Sequence, residues 1–474
     1  MSRAIVANRS QRLLLPPDLN DWVGPLHPVR FIADLVDSLD LERLGFRQSP
    51  GEEGRPHFAP QLLLGVWLYG WMERIRSTRA LEKAIHTQVA FMWLTGQEAP
   101  DHVTLWRFFR SNRKALPLLF KFVVKTSASM GLVGFALHAL DGTKLSAACS
   151  TETASYRKTL EEELKKLDAI VDASVAEVEA NEAAAESAGW VMPEALADSK
   201  KRKEEIKARL KELDDEGTNH LHPKEPEARM VKTREGLKLG YNAQIVVDHD
   251  SDMIVAADVV NEATDHFQLV PMVAEVVAVT GRTAESTVAD KGYASGEQFA
   301  EAERRHLPVL VAVQDESSEK GDYAKSKFRF DAEHDLYLCP RGEELPFTGA
   351  HSATTGKPAM RVYRCGNDSC PVKSSCTTDK AGRAIKRRDG EDAMERQIKK
   401  MSVPANQLLY GLRKEIVEHV FGIIKAVDGF RRFTARGLDS AKAQWSLACL
   451  AVNLRKLLPA VRERRLTAAH FGGT

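Results

Sequence analysis

The sequence contains no long apolar run. Its richest apolar stretch, Leu62–Trp71, is far shorter than the roughly 20 residues that a membrane-spanning helix needs. The basic N-terminal stretch, MSRAIVANRSQR, lacks the apolar segment that follows it in secretory signals. We therefore expect a cytoplasmic protein with no membrane partner, and its 474 residues predict two or three domains.

The chain also lacks an excess of charge of either sign, because 67 basic residues face 66 acidic ones. The charges are unevenly distributed, however. Residues 156–217 carry 11 basic and 17 acidic side chains, whereas residues 383–474 carry 19 basic and 9 acidic ones. A basic C-terminal region is suited to contact with phosphates, although an ordinary solvated surface gives the same pattern.

Cysteine is scarce, and four of the six cysteines fall in one short segment: Cys339, Cys365, Cys370 and Cys376. In a cytoplasmic protein such clustering indicates a metal site rather than disulfides. Four thiolates can form a tetrahedral structural Zn²⁺ site. The alternatives are free thiols, or three cysteines completed by His334 or His351.

Helical spacing of apolar residues predicts a helical N-terminal domain over residues 1–125, with Pro60 at a helix start. After Pro100–Asp101, a helix that mixes aromatic residues with Arg107 and Arg110 is a candidate DNA-contacting or assembly element. A plain helical bundle with charged outer faces fits equally well.

Residues 155–220 are charged and helical. They contain two apolar seams: Leu160, Leu164, Leu167, Val171 and Val178, then Ile206, Leu210 and Leu213. Gly189–Pro193 separates the seams. We expect a helical hairpin or coiled-coil insertion that serves as a spacer or dimer contact.

The remaining segments predict an α/β core. Residues 130–150 and 230–325 read as a strand, then two β-rich runs, then strands alternating with helices. This order predicts a mixed sheet with an antiparallel start. Residues 326–392 form the cysteine-rich insertion, and residues 393–474 are predicted to be helices that complete the core, with a break near 429–437.

Two aspartates stand at the ends of predicted strands. Asp141 precedes Gly142-Thr143, and Asp290 precedes Lys291-Gly292-Tyr293. Carboxylates at the ends of neighbouring strands can converge at one sheet edge and supply the hard oxygen ligands that Mg²⁺ prefers. The alternative for either residue alone is an ordinary turn-forming aspartate.

A third carboxylate is available in the helix YGLRKEIVEHVFGIIK. Glu415 and Glu418 both lie there, together with the cations Arg413, Lys414 and Lys425. Cations around a carboxylate suit a site that a polyanion approaches. On the pattern alone, an ordinary amphipathic helix explains the segment equally well.

Three segments, LDGTKLSA, ADKGYAS and YGLRKEIVEHVFGIIK, resemble the three catalytic blocks of insertion-sequence DDE transposases. STRALE through PDHVTLWRFF, KTREGLKLGYNAQIVVD and NLRKLL resemble other parts of that group, so the resemblance covers nearly the whole chain. It implies an RNase H-like core with acids on the first strand, the fourth strand and a late helix.

The resemblance implies that the three acids are Asp141, Asp290 and Glu418. Asp290 opens the family's Asp-x-Gly-Tyr pattern with Gly292 and Tyr293. The helix resembles the family's Tyr-Arg-Glu-Lys signature, in which six residues lie between the glutamate, Glu418, and the lysine.

In that signature Tyr410 and Arg413 match the opening, and Lys425 matches the lysine. The sequence departs from the pattern, since four residues rather than three separate Arg413 from Glu418. Lys414 restores the usual spacing as a substitute cation, and Glu415 is the competing third acid.

The resemblance implies an enzyme in which the three acids hold two Mg²⁺ (or Mn²⁺) ions. A water cleaves a phosphodiester at each transposon end, and the freed 3′-OH then attacks target DNA. Tyr410, Arg413, Lys414 and Lys425 are the expected DNA contacts. The expected partners are the inverted-repeat ends and target DNA, bound by a homodimer or larger assembly at the bacterial nucleoid. The alternatives are an inactive DNA-binding protein of transposase descent and a nuclease on the same fold.

Overall fold

The computed structural model describes residues 18–47, 57–150, 155–182, 194–215, 217–233, 235–313, 321–352, 359–463 and 466–472. Within these ranges no helix is both long and apolar enough to cross a membrane. The sequence-based prediction that Gly189–Pro193 separates the two apolar seams lies outside the described residues.

The N-terminal part is helical, as the apolar spacing predicts. Its helices α1–α7 are Leu19–Trp22, Pro28–Ser38, Pro60–Met72, Thr78–Thr87, Val89–Thr95, His102–Asn112 and Ala115–Ser129. Pro60 occupies the first turn of α3, where a missing backbone N–H has no cost. Asp101 caps α6 by accepting a hydrogen bond from the Thr104 N–H at 2.7 Å.

An insertion follows the first strand, β1 (Leu137–Ser146). It comprises β2 (Ser155–Tyr156), α8 (Arg157–Glu182), α9 (Glu194–Asp215) and β3 (His220–Leu221). The two helices pack through apolar residues of the predicted seams: Leu160, Leu164, Leu167, Ile206, Leu210 and Leu213. Arg157 at the start of α8 pairs with Asp214 near the end of α9, and Asp168 further along α8 pairs with Lys203 nearer the start of α9, so the helices are antiparallel.

A six-stranded mixed sheet forms the centre of the molecule. Its other strands are β4 (Arg229–Thr233), β5 (Gly236–Asp248), β6 (Ile254–Val260), β7 (Ser286–Ala289) and β8 (Val309–Val311), with helices α10 (Leu269–Thr280) and α11 (Gly296–Arg304) between the later strands. Strand β5 lies antiparallel to β4, β6 and β1, whereas β1, β7 and β8 run parallel. This is the mixed sheet that the sequence predicts.

The cysteine-rich segment contains a second, five-stranded sheet that the sequence did not predict. Its strands are β9 (Arg329–Asp331), β10 (Leu336–Leu338), β11 (Glu344–His351), β12 (Met360–Arg364) and β13 (Ala384–Arg388), with the short helix α12 (Lys373–Cys376) before β13. A small core of Phe328, Tyr337, Leu345, Tyr363 and Ile385 holds it together.

Three α-helices follow the small sheet: α13 (Glu391–Met401), α14 (Pro404–Gly422) and α15 (Leu438–Arg462). A π-helical turn (Ile423–Val427) extends α14, and a 3₁₀ turn (Ala468–Phe471) lies near the end of the described residues. Helix α15 is almost wholly buried. Its Asn453 side chain bonds both the N–H and the C=O of Ile254 on β6, and its Trp445 indole donates to the Gln244 carbonyl on β5. These bonds fix α15 against the sheet, and α14 packs across β1, β5 and β7.

Candidate active site

The two aspartates follow a pair of residues that face each other on neighbouring parallel strands. Strands β1 and β7 run parallel, and Leu140 is paired with Ala289 as the last residue pair between them. Asp290 comes directly after the end of β7, whereas Asp141 lies inside β1, where it is paired with Ile245 of β5. The expectation that both aspartates end their strands is therefore wrong for Asp141, because β1 continues along β5 to Ser146, beyond the point where β7 stops.

One guanidinium bridges the two carboxylates. Arg413 on α14 lies 3.3 Å (Nη1) from Asp141 Oδ2 and 3.6 Å (Nη2) from Asp290 Oδ1. The Arg413 side chain is only 10% exposed, whereas that of Asp290 is 43% exposed. The site is thus a carboxylate pair that already attracts one buried cation, with one side open to solvent.

Asp141 is costly to ionise. Burial raises the pKa of its carboxyl to about 6, against the hydrogen bond from the Gly142 N–H and the charge of Arg413, which lower it. The negative charges of Asp290 and Asp265 raise it further. A carboxyl in this condition gains from a cation that binds next to it.

This pKa predicts how the stability of the metal-free protein depends on pH. Between about pH 4 and 6, Asp141 is protonated in the folded protein. In the unfolded chain its pKa has the ordinary value of 3.8, so there the same carboxyl is ionised. The native state then binds more protons, so this group's contribution to stability falls as pH rises through that window. Asp141→Asn removes the effect. We expect the difference in unfolding free energy, variant minus wild type, to be more positive at pH 8 than at pH 4.5.

The rise in the pKa of Asp141 from 3.8 to about 6 corresponds to a change of at most roughly 3 kcal/mol in the free energy of unfolding. Denaturant unfolding of both proteins at the two pH values, without divalent metal, measures the difference. An equal difference at pH 4.5 and pH 8 contradicts the assigned pKa.

The predicted DNA contacts are distributed along the same helix. Tyr410 is half-buried and hydrogen-bonds Arg413, and burial is the main cause that raises its pKa. Lys425, in the π-helical turn, donates from Nζ to the Thr143 hydroxyl on β1. Lys414 is exposed. Arg413 on α14 and Lys425 in the turn that extends it therefore both contact residues within β1.

Glu418 lies between those two points and is exposed, as is Glu415. No hydrogen bond or ion pair joins Glu418 to either aspartate among the described contacts. As the side chains stand, no three described His, Cys, Asp or Glu residues are close enough to hold a metal ion. The two aspartates are brought together, and the third acid is on the packed helix but is not joined to them.

The two candidate glutamates occupy different rows of α14. Residues spaced by four stack along one side of a helix. Tyr410, Lys414 and Glu418 share such a row, and this row begins beside Arg413 and the aspartates. Glu415 belongs to the row of Gly411 and His419. The helix geometry therefore favours Glu418 over Glu415 as the acid on the side of the site.

Sequence reasoning missed a further carboxylate, Asp265. Its charge reaches Asp141, and its Oδ1 accepts hydrogen bonds from Lys144, Asn242 and Gln244. A signal was present in the sequence, since Asn242 and Gln244 place polar side chains at alternate positions of an otherwise apolar strand. Such alternation indicates that one strand face meets polar partners.

The four clustered cysteines gather at one end of the small sheet. Cys339 follows β10, Cys365 follows β12, Cys370 lies in the next loop and Cys376 ends α12. All four are free thiols. Burial raises the pKa of Cys376, the Arg383 charge lowers it, and the other three thiols raise it again, so all four are within electrostatic reach.

The sulfur of Cys339 is engaged by backbone hydrogen bonds. Its Sγ accepts hydrogen bonds from the backbone N–H groups of Arg341 and Glu343, each at 3.3 Å. These two hydrogen bonds fix the sulfur against the turn that follows β10.

Comparisons with known proteins agree with the sequence-based interpretation at the level of family. Residues 338–458 match the family described as "Transposase DDE domain", and residues 17–111 match the "Transposase domain (DUF772)" family. The first match includes Glu418 and the four cysteines but neither Asp141 nor Asp290. The two matches support an insertion-sequence transposase.

No curated protein shows significant similarity to the chain. Among solved structures, a cryo-EM structure of the piggyBac transposase synaptic complex with hairpin DNA aligns at 9% identity and a TM-score of 0.32. The alignment covers 96% of this chain and 77% of that one. This score is too low to bear on the fold.

Proposed function

We propose that this chain is a DNA transposase that binds transposon ends, hydrolyses phosphodiester bonds there and transfers the 3′-OH ends into target DNA. The observation that carries the proposal is the pair of aspartates on adjacent parallel strands, Asp141 within β1 and Asp290 directly after β7, both within 3.6 Å of Arg413. Two transposase-family matches flank this pair in the sequence.

We infer that the central sheet is an RNase H-like core. The strand order β6-β5-β1-β7-β8, with an antiparallel first half and a parallel second half, supports this assignment. In such a sheet the first and fourth strands are neighbours. Asp141 and Asp290 stand on those two strands.

Asp141, Asp290 and Glu418 are the proposed ligands of two Mg²⁺ or Mn²⁺ ions. The donor set fits, since carboxylate oxygens are the ligands these ions prefer and the two aspartates already converge on one cation. When bound, paired ions activate an attacking oxygen and stabilise the leaving one. Glu418 must turn inward from its exposed position to join them.

The basic side chains of α14 are the proposed phosphate contacts. Arg413 pairs with both aspartates in this structure. Its guanidinium has five N–H donors in a planar fork, which matches the oxygens of a phosphate. We expect it to bind a phosphate once metal ions neutralise the two carboxylates. Lys425 at Thr143 and exposed Lys414 extend this basic side, and Tyr410 holds Arg413. Backbone contacts of this type position a DNA strand without reading its sequence.

Helix α6 is the proposed DNA contact of the N-terminal domain. Its buried side holds Leu105, Phe108 and Phe109, and Trp106, Arg107 and Arg110 are exposed. A basic and aromatic exposed face suits a nucleic-acid backbone. Since two transposon ends must be paired, we propose that at least two copies assemble on DNA, which also places the protein at the nucleoid.

A plasmid assay tests the proposed function. Supercoiled plasmid carrying the inverted repeats that flank the gene is incubated with the protein and Mg²⁺. The proposal predicts cleavage at the repeats and joined products. Binding without cleavage favours an inactive DNA-binding protein, and cleavage without joining favours a nuclease.

We also propose that Cys339, Cys365, Cys370 and Cys376 hold a structural Zn²⁺ ion. Four sulfurs match the ligand set of closed zinc sites. The gathering of all four thiols at one end of the small sheet, and the two N–H groups at the Cys339 sulfur, support the proposal. The thiols must rotate to bind zinc, because no three His, Cys, Asp or Glu side chains among the described residues are arranged to hold a metal ion.

Elemental analysis of protein purified in reducing buffer tests the zinc proposal. We expect about one zinc per chain, lost in Cys365→Ser and retained in the control Cys149→Ser, since Cys149 is isolated in the sequence. Chelation should lower the melting temperature, because metal binding contributes directly to folding. Wild-type protein without zinc contradicts the proposal.

A further inference from the structure

A second group of polar side chains lies behind the aspartate pair, on the other face of the sheet. Successive residues of a strand point to opposite faces. Asp141 and Thr143 face α14, so Gly142 and Lys144 face the other way. Their cross-strand partners on β5 are Gln244 and Asn242.

Asp265 is the centre of this group. Its Oδ1 accepts hydrogen bonds from Lys144 Nζ at 2.8 Å, Asn242 Nδ2 at 2.8 Å and Gln244 Nε2 at 2.7 Å. Three donors on one oxygen hold the carboxylate fixed in direction. We call Lys144, Asn242, Gln244, Asp265 and Tyr293 the Asp265 cluster.

Gly142 allows the cluster to lie against β1. A Cβ atom at Gly142 would be 2.4 Å from Gln244 Nε2 and 2.6 Å from Asp265 Oδ1, both too close. The residue after Asp141 must therefore lack a side chain for Asp265 and Gln244 to occupy these positions. The cluster is thus built directly against the backbone that carries Asp141.

The cluster also reaches the second aspartate. The Gln244 Oε1 atom accepts a hydrogen bond from the hydroxyl of Tyr293, which is 1% exposed. Tyr293 ends the single 3₁₀ turn that follows Asp290, and its N–H donates to the Asp290 carbonyl at 3.0 Å. A continuous path of hydrogen bonds therefore joins Asp265, Gln244, Tyr293 and the backbone of Asp290.

We propose that Asp265 is a positioning residue, which fixes the separation of Asp141 and Asp290 through Gln244 and Tyr293 and so sets the affinity of the site for divalent metal. This inference rests on the proposed function. Residues that orient metal ligands through hydrogen bonds typically change metal affinity 10–100-fold when replaced. Asp265 positions the metal ligands and is not itself a ligand, since its Oδ1 already accepts hydrogen bonds from three donors.

Direct Mn²⁺ binding to the full-length protein, followed by calorimetry or electron paramagnetic resonance, tests the proposal. Asp265→Asn removes the charge, and Tyr293→Phe removes only the hydroxyl that bonds Gln244. Both variants should bind Mn²⁺ with a Kd raised about 10–100-fold. Both should also need correspondingly more metal for half-maximal cleavage, with the rate at saturating metal largely restored.

The matched control is Glu275→Gln. Glu275 belongs to α10, the helix that follows Asp265, and pairs with a lysine outside the cluster, Lys121, at 2.5 Å. This control should bind Mn²⁺ like wild type. Should Tyr293→Phe bind like wild type, the path through Tyr293 is wrong, whatever Asp265→Asn does.

Mn²⁺ binding by Asp141→Asn distinguishes an error in the role of Asp265 from an error in the metal site. If wild type binds Mn²⁺ and Asp141→Asn does not, the metal site stands, and unchanged affinity in both cluster variants overturns only the role of Asp265. If wild-type protein and Asp141→Asn bind Mn²⁺ equally, the metal site itself is misplaced and the positioning role falls with it.

Discussion

Asp141→Asn should abolish cleavage of transposon-end DNA and leave DNA binding intact. Asparagine keeps the shape of the side chain but removes the negative charge that a divalent ion needs. Metal ions supply several kcal/mol of transition-state stabilisation, so we expect a loss of about 10³-fold or more in cleavage rate. Cleavage of a labelled inverted-repeat substrate and gel-shift titration measure the two activities.

The same variant should not lose stability. Asp141 is half-buried and its pKa is raised to about 6, so a neutral side chain relieves a cost that the ionised carboxyl imposes near neutral pH. Loss of cleavage together with equal or higher thermal stability separates a chemical role from a folding defect. Asp389→Asn, at an exposed position in the loop after β13, is the control and should cleave normally. Cleavage by Asp141→Asn at the wild-type rate rules Asp141 out as a ligand.

Glu418→Gln should be nearly inactive in cleavage, whereas Glu415→Gln should be active. Both glutamates are exposed on α14 and three residues apart, so the two variants are matched in charge, size and helix position. Only Glu418 shares a row with Tyr410 and Lys414, on the side of the helix that reaches the aspartates.

We expect a loss of about 10³-fold for Glu418→Gln, as for the first acid, and a change of less than about threefold for Glu415→Gln. Rates with Mg²⁺ and with Mn²⁺ on the same substrate measure both. The opposite ranking of the two variants makes Glu415 the third acid and requires α14 to turn on DNA binding.

The sequence was sufficient to predict the mixed sheet, but only one of the two aspartates is at a strand end. Apolar runs with turn residues between them predict β1, β5 and β6. Asp290 does follow the end of β7, whereas Gly142 marks no strand end, because β1 continues to Ser146. That Asp141 and Asp290 are neighbours required the strand register, because they are 149 positions apart in the chain. The local pattern also left Glu415 and Glu418 equivalent, and only the side on which α14 packs distinguishes them.

Three features could not be predicted from the local sequence. Asp265 and Lys144 are 121 residues apart, and each alone reads as an ordinary surface residue. The small sheet is built partly from strands of three residues, such as β9 and β10, which are too short for an alternating pattern to identify. The π-helical turn at Ile423–Val427, which brings Lys425 to Thr143, likewise has no local signal that we identified.

The most direct test of the two-metal site is anomalous diffraction from crystals of the protein with transposon-end DNA and Mn²⁺. We predict two manganese peaks about 3.5–4 Å apart, coordinated by Asp141, Asp290 and an inward-turned Glu418, with Arg413 moved onto a DNA phosphate. Manganese bound elsewhere, with Arg413 still bridging the two aspartates in the DNA complex, contradicts this account.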